Sequence, residues 1–375
     1  MMGATAGGDG QDGAAPEARR SVASEDGRGR AANIFDVARL AGVSHQTVSR
    51  VINNHPNVRD STRERVLQAV KQLRYRPSTA ARAMVTRRSR NLGLITTGSP
   101  DYGPASTVLG FSAAAREARY NVSIATLLDS DPEYIRASVE LLLAQSIEAV
   151  IVVATRRSLM TTLADAELDL PLVAVEPSGR LASSWVAIDQ YAGARRATEH
   201  LISQGHRDIW HLAGPEDSID AGERVRGWRD AMADHGLAAP TPTVGDWSPA
   251  SGYAFADRLE RGDRPPTAIF SGNDQMALGL LHGLRDRGVR VPDDVSLIGY
   301  DDIPEAEHFF PPLTTMRQDF LQLGRDIMAA VLNRLEEIDV PSPRSVPELV
   351  VRESVRPLAD RLVVLPASRE GGSRA

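Results

Sequence analysis

Between residues 33 and 76 the apolar positions recur at helical spacing. In IFDVARLA (34–41) Val37, Ala38 and Ala41 form one stripe, with Asn33 placed to cap the helix and Asp36 in its first turn. Gly42 interrupts the pattern, and in GVSHQTVSRVIN (42–53) Val48, Val51 and Ile52 resume it. Ser44 is suited to cap this second helix, because its hydroxyl can accept a bond from an unpaired amide of the first turn. A third helix is predicted near 61–75, where Val66, Val70 and Leu73 share a face. Two short helices joined by a tight turn containing Gly match a helix-turn-helix. A surface helical hairpin with a polar outer face reads the same way.

From residue 92 the rhythm changes. LGLIT (92–96), VSIATLL (122–128), AVIVVA (149–154), LVAVE (172–176) and WVAI (185–188) are short apolar runs with amphipathic stretches between most of them. In PEYIRASVELLLAQS (132–146) the residues Ile135, Val139, Leu142 and Leu143 mark one helical face. IWHLAG (209–214), TAIFSG (267–272) and VSLIGYDD (295–302) continue the alternation. Apolar strands alternating with helices predict parallel sheets covered on both faces. The strands are too many for one compact sheet, so two α/β lobes are expected. Ligands of such sheets sit at the strand C-termini, which two facing lobes would gather around a cleft.

Charge sharpens this division. The chain of 375 residues has a net charge of −6, but residues 31–90 carry twelve Arg or Lys against Asp36, Asp60 and Glu64, or +9. Residues 1–30 carry −1, which leaves −14 on residues 91–375. A basic small domain on an acidic body is the footprint of a nucleic-acid reader joined to something else. Arginine supplies nearly all of the positive charge, Lys71 being the only lysine; base composition of the genome accounts for that. The absence of cysteine rules out disulfides and Cys-based zinc sites. The N-terminus lacks the apolar core of a signal peptide, and no apolar run approaches a membrane span, so a cytoplasmic protein is expected.

His45, Gln46 and Arg50 cannot share the stripe that Val48, Val51 and Ile52 bury, so they point outward together. Gln pairs in bidentate fashion with adenine and Arg with guanine at major-groove edges, while Thr47 and Ser49 suit phosphate oxygens, and the capping Ser44 completes the expected DNA-binding set. Catalytic signatures are missing: the chain has no HExxH, no GxSxG elbow, no P-loop and no GxGxxG after a strand. No cofactor is expected. A periplasmic sugar-binding protein would share the two lobes, but the basic head and the missing signal peptide oppose that reading.

Taken together, IFDVARLAGVSHQTVSRVIN, YRPSTAARAM, RVRGW (224–228), SGNDQMALG (271–279) and IGYDD…PPLTTMRQDF (298–320) resemble the lactose/galactose repressor (LacI/GalR) family over about residues 33–356. GDWS (245–248) adds a detail of the lactose-repressor branch. The resemblance implies an N-terminal all-α helix-turn-helix domain followed by a two-lobed, periplasmic-binding-protein-like α/β effector domain with parallel sheets. It implies the DNA-binding domain at 31–76 and a hinge helix with linker at 77–90, while residues 1–30, rich in Gly, Ala and charge, are expected to form a disordered tail. Lobe 1 would then span 91–188 with about 320–347, lobe 2 would span 189–319 with about 348–356, and 357–375 would form a flexible tail.

The resemblance also assigns roles. It makes 44–53 the recognition helix and places Ser78, Ala81, Arg82 and Met84 in the hinge segment. There Ser replaces the usual Asn, and Met replaces the Leu that wedges into the minor groove. Effector contacts are implied for Arg224, Asn273, Asp301, Trp247 and Phe320, and more weakly for Asp220, Glu176, Tyr102 and Ser106. Arg presents a fixed fork of donors to adjacent hydroxyls. Each position has a plainer alternative: a surface charge for Arg224, helix caps for Asn273, Asp274 and Asp301, loop packing for Trp247, core for Phe320. His200, His206 and His211 are expected to be structural. The implied protein is a regulator, most often a repressor, of carbohydrate-utilisation genes. A homodimer on a near-palindromic operator would release the DNA when a sugar or glycoside binds between the lobes. The C-terminal Leu358, Leu362 and Leu365 are too few for a coiled coil, so a dimer is expected over a tetramer.

Overall fold

The computed structural model describes residues 32–53, 55–76, 88–98, 101–127, 131–153, 156–158, 170–176, 184–260, 265–341 and 343–358. It divides into two compact units, 1–85 and 86–375. The hinge candidates Ser78, Ala81, Arg82 and Met84, the 1–30 segment and most of 357–375 lie outside the described residues.

In the first unit, capping fixes the helix ends. Helix α1 (Ile34–Ala41) starts with a capping box between Asn33 and Asp36 and stops at Gly42, whose φ of 63° is the left-handed conformation that glycine adopts without strain. Helix α2 (His45–Ile52) begins at Ser44, whose side chain accepts from the Thr47 amide at 3.2 Å. With α3 (Asp60–Gln72) these helices close a core of Val37, Ala38, Ala41, Val48, Val51, Val66 and Ala69. Val70, Leu73 and Ile52 pack at its margin, half-buried.

The second unit holds two parallel sheets. Strands β1 (Asn91–Thr97), β2 (Asn121–Leu127), β3 (Val150–Val153), β4 (Leu172–Val175) and β5 (Ser184–Ile188) form lobe 1. Helices α4 (Tyr102–Glu117) and α5 (Pro132–Leu143) lie between them in sequence. Ile135, Val139 and Leu142 of α5 are buried, whereas Leu143, expected on the same face, is exposed. Lobe 2 follows, with α6 (Gln190–Ser203), β6 (Ile209–Ala213), α7 (Ile219–Asp234), β7 (Thr243–Val244), α8 (Pro249–Phe255), β8 (Ala268–Ser271), α9 (Asp274–Asp286) and β9 (Ser296–Ile298). Its sheet has the order β7-β6-β8-β9 and is parallel throughout.

The chain then leaves lobe 2 through β10 (Thr315–Arg317), returns to lobe 1 as α10 (Phe320–Leu335) and β11 (Arg344–Ser345), and re-enters lobe 2 through β12 (Glu348–Val350). β11 pairs with β5 at the edge of the lobe 1 sheet, whose order is β11-β5-β4-β3-β1-β2, and β12 pairs antiparallel with β10. Three strands therefore pass between the lobes, at 188–190, 317–320 and 345–348. The antiparallel pair β10–β12 is too short for its periodicity to be read from sequence.

Helix α10 crosses α4 at glycine on glycine. A Cβ on Gly110 would stand 2.2 Å from the Phe320 carbonyl oxygen, and one on Gly324 would stand 2.2 Å from the Gly110 carbonyl carbon. The obstacle is backbone in both cases, so no rotamer change relieves it. Gly110→Ala is expected to destabilise lobe 1 by about 1–3 kcal/mol, the usual range for overpacking a core. Urea unfolding of the two proteins measures the difference, and equal midpoints would refute a rigid crossing.

Candidate functional site

On the first unit, Ser44, His45, Gln46 and Arg50 are exposed, while Thr47 and Ser49 are half-buried. The Ser44 and Thr47 hydroxyls lie 3.0 Å apart, and Ser49 accepts from Asn53 Nδ2 at 3.3 Å, so part of their bonding capacity is used within the helix. The His45 ring rests against Phe35 of α1, with centroids 5.2 Å apart, and Phe35 is itself 58 % exposed. Phe35 shares this face without forming part of the apolar stripe, which is why periodicity passes over it.

In the second unit the predicted effector residues gather around the cleft between the lobes. Tyr102, Glu176, Asp220, Arg224, Trp247, Asn273, Asp301 and Phe320 all line it. Ser106 does not. It lies one turn along α4, hydrogen-bonded to the Tyr102 side chain, and lines a separate hollow behind Phe320. Helical spacing puts Gly103 and Thr107, not Ser106, on the cleft-facing side of α4.

Arg224 is the centre of the site. It projects from α7, which Ser218 caps by accepting from the Ala221 amide, and shares its buried face with Ala221, Trp228 and Ala231. The residue is 5 % exposed. Nε donates to Gln190 Oε1 at 3.0 Å, Nη1 donates to the Gly272 carbonyl, and Nη2 faces Asp301 Oδ1 at 3.7 Å. Tyr300 stacks on it at 3.9 Å and Trp247 stands 5.4 Å away. Of the alternatives open from sequence, a surface charge is excluded for this residue.

Trp247 reaches the cleft because two strands end in glycine. A Cβ on Gly214, just past β6, would lie 2.1 Å from the indole, and one on Gly272, just past β8, would lie 3.2 Å from it. The tryptophan holds a positive φ of 72° and Asp301 one of 115°, conformations costly to side chains and often kept at ligand sites. Asn273 combines two roles: its Oδ1 accepts from the Met276 amide and so caps α9, while Nδ2 donates to the Trp247 carbonyl at 3.1 Å. Asp274 is not the helix cap that the sequence offered; it accepts from Thr315 Oγ1 at 2.7 Å and from the Ile303 amide at 3.0 Å. Phe320 belongs to the lobe 1 core and also meets Tyr102 edge-on at 5.7 Å.

Burial governs the ionisation here. It pushes Asp301 up to about 7, against the opposing pull of Arg224 and of Gln318, whose Nε2 donates to it at 2.6 Å. Burial also raises Asp220 and Asp274, and it lowers His211 to about 4. His211 stacks on Phe270, and its Nδ1 bonds the Phe270 carbonyl oxygen, while His206 bonds Thr267 and the Arg356 carbonyl. These histidines serve packing. Gln190 and Gln318, both buried in the cleft wall, were not among the expected residues, because a glutamine beside a strand end carries no distinctive spacing.

Residues 33–78 match the bacterial regulatory proteins of the lacI family, and residues 198–355 match the periplasmic binding protein-like domain. The HTH-type transcriptional repressor PurR of Vibrio campbellii is 33 % identical over 336 residues, covering 87 % of this chain and 99 % of that protein. The chain belongs to the lacI family of bacterial regulatory proteins. The lactose operon repressor of Escherichia coli K12, a second member, is 31 % identical over 344 residues, covering 88 % of this chain and 96 % of that one. The lac repressor dimer bound to operator and the anti-inducer ONPF superposes with a TM-score of 0.79 at 30 % identity, over 87 % of this chain and all of that one. A transcriptional regulator CelR–cellobiose complex gives 0.64 at 32 % identity, over 86 % and 99 %. Like other lacI-family members, this chain is a DNA-binding transcriptional regulator with an effector-binding domain.

The protonation of Asp301 has a sign that can be checked. Between the usual carboxylate value and about 7, the folded protein keeps a proton that the unfolded chain has released. On this residue's account stability therefore falls as pH rises through that window. Asp301→Asn removes the dependence. Urea unfolding near pH 4.5 and pH 7.5 should show the variant gaining on the parent by roughly 3 kcal/mol across the interval. An unchanged difference would mean that Asp301 ionises normally.

Proposed function

We propose that this lacI-family regulator is a repressor of carbohydrate-utilisation genes. As a homodimer it would bind a near-palindromic operator, leaving it when a sugar or glycoside fills the cleft. The observation that carries the reading is the buried Arg224, held between Tyr300 and Trp247 with Asp301 and Asn273 beside it. A forked cation, a carboxylate, an amide and an indole face together suit a polyhydroxylated ring with an apolar C–H side. Related structures hold ligands of this class: the lac repressor with ONPG and CelR with cellobiose. On the DNA side, Gln46 and Arg50 suit adenine and guanine edges, with His45 beside them. A dimer would set two such helices in successive major grooves.

The ligand acts by differential affinity for two lobe arrangements, so operator and effector must weaken each other by the same factor. The reading makes the protein a binder and not an enzyme, working where the chromosome is, in the cytoplasm. Among the described residues, no helix is long and apolar enough to cross a membrane, and no cluster of His, Cys, Asp and Glu is set to hold a metal.

Selection of duplex DNA from a random pool tests the operator reading: an enriched palindrome is expected, and no enrichment in ligand-free protein or in protein given sugars would reject it. With about 6–10 phosphate contacts, affinity for that operator should fall by about 10³–10⁵ between 50 and 200 mM salt; a flat response would contradict the electrostatic footprint. Arg224→Ala should keep operator affinity while abolishing release by whichever of a panel of glycosides, ONPG and cellobiose included, acts on the parent. Loss of both together would make Arg224 structural.

A further inference from the structure

Arg224, Gln190, Gln318 and Asp301 form a circuit of contacts that runs one way. Arg224 Nε donates to Gln190 Oε1 at 3.0 Å, Gln190 Nε2 donates to Gln318 Oε1 at 2.8 Å, and Gln318 Nε2 donates to Asp301 Oδ1 at 2.6 Å. Asp301 Oδ1 then faces Arg224 Nη2 at 3.7 Å and closes the loop. All four residues are buried. Both amides turn oxygen toward the cation and nitrogen toward the carboxylate. Flipping Gln190 would aim its NH₂ at the guanidinium and its carbonyl at the carbonyl of Gln318, so two bonds would become two repulsions.

The location of the glutamines gives the circuit its consequence. Gln190 is the first helical residue after the crossover from β5 into α6, and Gln318 lies on the crossover from β10 into α10. Beside them, the Asp189 amide donates to the Ser345 carbonyl at 2.7 Å, which ties in the third crossover. Lobes that rotate about such strands do so by changing backbone torsions within them. A torsion change on either strand moves one glutamine against the other, and the disturbance reaches the ion pair at both of its ends.

We propose that Gln190 and Gln318 are positioning residues that tie the Arg224–Asp301 pair to the hinge, so that this pair is held in register only when the lobes are closed. A purely structural role, in which the amides only satisfy two buried charges, would make their loss costly to stability without changing the lobe arrangement. The proposal holds whatever ligand the cleft takes. The charged groups facing Asp301 are Arg224 and Asp220 on α7, Asp101 before α4 and Asp274 on α9.

The chain has no cysteine, so Glu140→Cys in lobe 1 and Ala233→Cys in lobe 2, both at exposed positions, allow spin labels on the full chain. The labelled protein is diluted with unlabelled chain and its lobe-to-lobe distance is read by double electron–electron resonance without ligand. A single narrow distribution is expected in the parent, and a longer, broader one in Gln190→Leu and in Gln318→Leu, with far-UV circular dichroism confirming the fold. The double substitution should widen it no more than the worse single one, because both cut the same circuit. Gln318→Glu gives a second reading if the leucine variants fold poorly. Its carboxylate still accepts from Gln190 but confronts Asp301. The lobes should part at about pH 8 and reunite as pH falls toward about 5, where the two carboxyls share a proton. Parent-like distances in both leucine variants, additive widening in the double, or a pH-independent Gln318→Glu would each overturn the proposal.

Discussion

A guanidinium cannot escape the cost of burial by giving up its proton, and in this protein one is buried at the point where the two lobes meet. Arg224 must therefore be met on every side. The partners come from separate parts of the chain: Gln190 from the first crossover, the Gly272 carbonyl from the end of β8, Asp301 from the segment after β9, and Tyr300 and Trp247 against its faces. Much of the local architecture answers to this demand. Asp301 sits at a φ of 115° beside it, and the glycines at 214 and 272 leave the space that the indole occupies.

The carboxylate is the yielding member of the pair. Asp301 lies 3.7 Å from Arg224, longer than a hydrogen bond, and its closest donor is the amide of Gln318. The charge state of the site turns on its acids: Asp301, pushed up to about 7, and Asp220 and Asp274, also raised. A ligand hydroxyl that donates to Asp301 supplies a bond favouring the ionised form, so binding and proton release are coupled in principle.

How much of this was legible in the sequence follows from what each signal requires. The first two helices of the first unit were readable because their caps, Asn33 and Ser44, and the terminator Gly42 are residues with few other reasons to sit there, and the third because Val66, Val70 and Leu73 share a face. The parallel strands were readable as unbroken apolar runs. Arg224, Asn273 and Asp301 stood out by motif. Ser106, implied only weakly by the resemblance, lies one turn along α4 from the cleft-lining Tyr102 and lines a separate hollow, a difference of facing that sequence spacing alone does not resolve. Gln190, Gln318 and Phe35 were passed over for a common reason. Their roles arise from contacts between residues distant in sequence or on different elements, as in the bond between Gln190 and Gln318, which lie 128 positions apart.

The same limit applies to the division of charge, and there it works in the reader's favour. Charge is additive along the chain, so +9 on residues 31–90 and −14 on 91–375 can be read without any fold. Physically the two signs act differently toward DNA. The basic unit gains affinity by displacing condensed counterions, a gain indifferent to sequence. The acidic unit is repelled by the same phosphates over roughly a Debye length, about 8 Å at physiological salt. A body that does not itself adhere to DNA leaves affinity to the small helical unit, where Gln46 and Arg50, exposed on α2, are the proposed base readers. Control of DNA binding by a ligand in the acidic body then requires only a change in how the basic units are presented. For that, lobe crossovers bonded directly to the Arg224–Asp301 pair in the cleft are the economical connection, since a shift of the pair and a shift of the crossovers become one event.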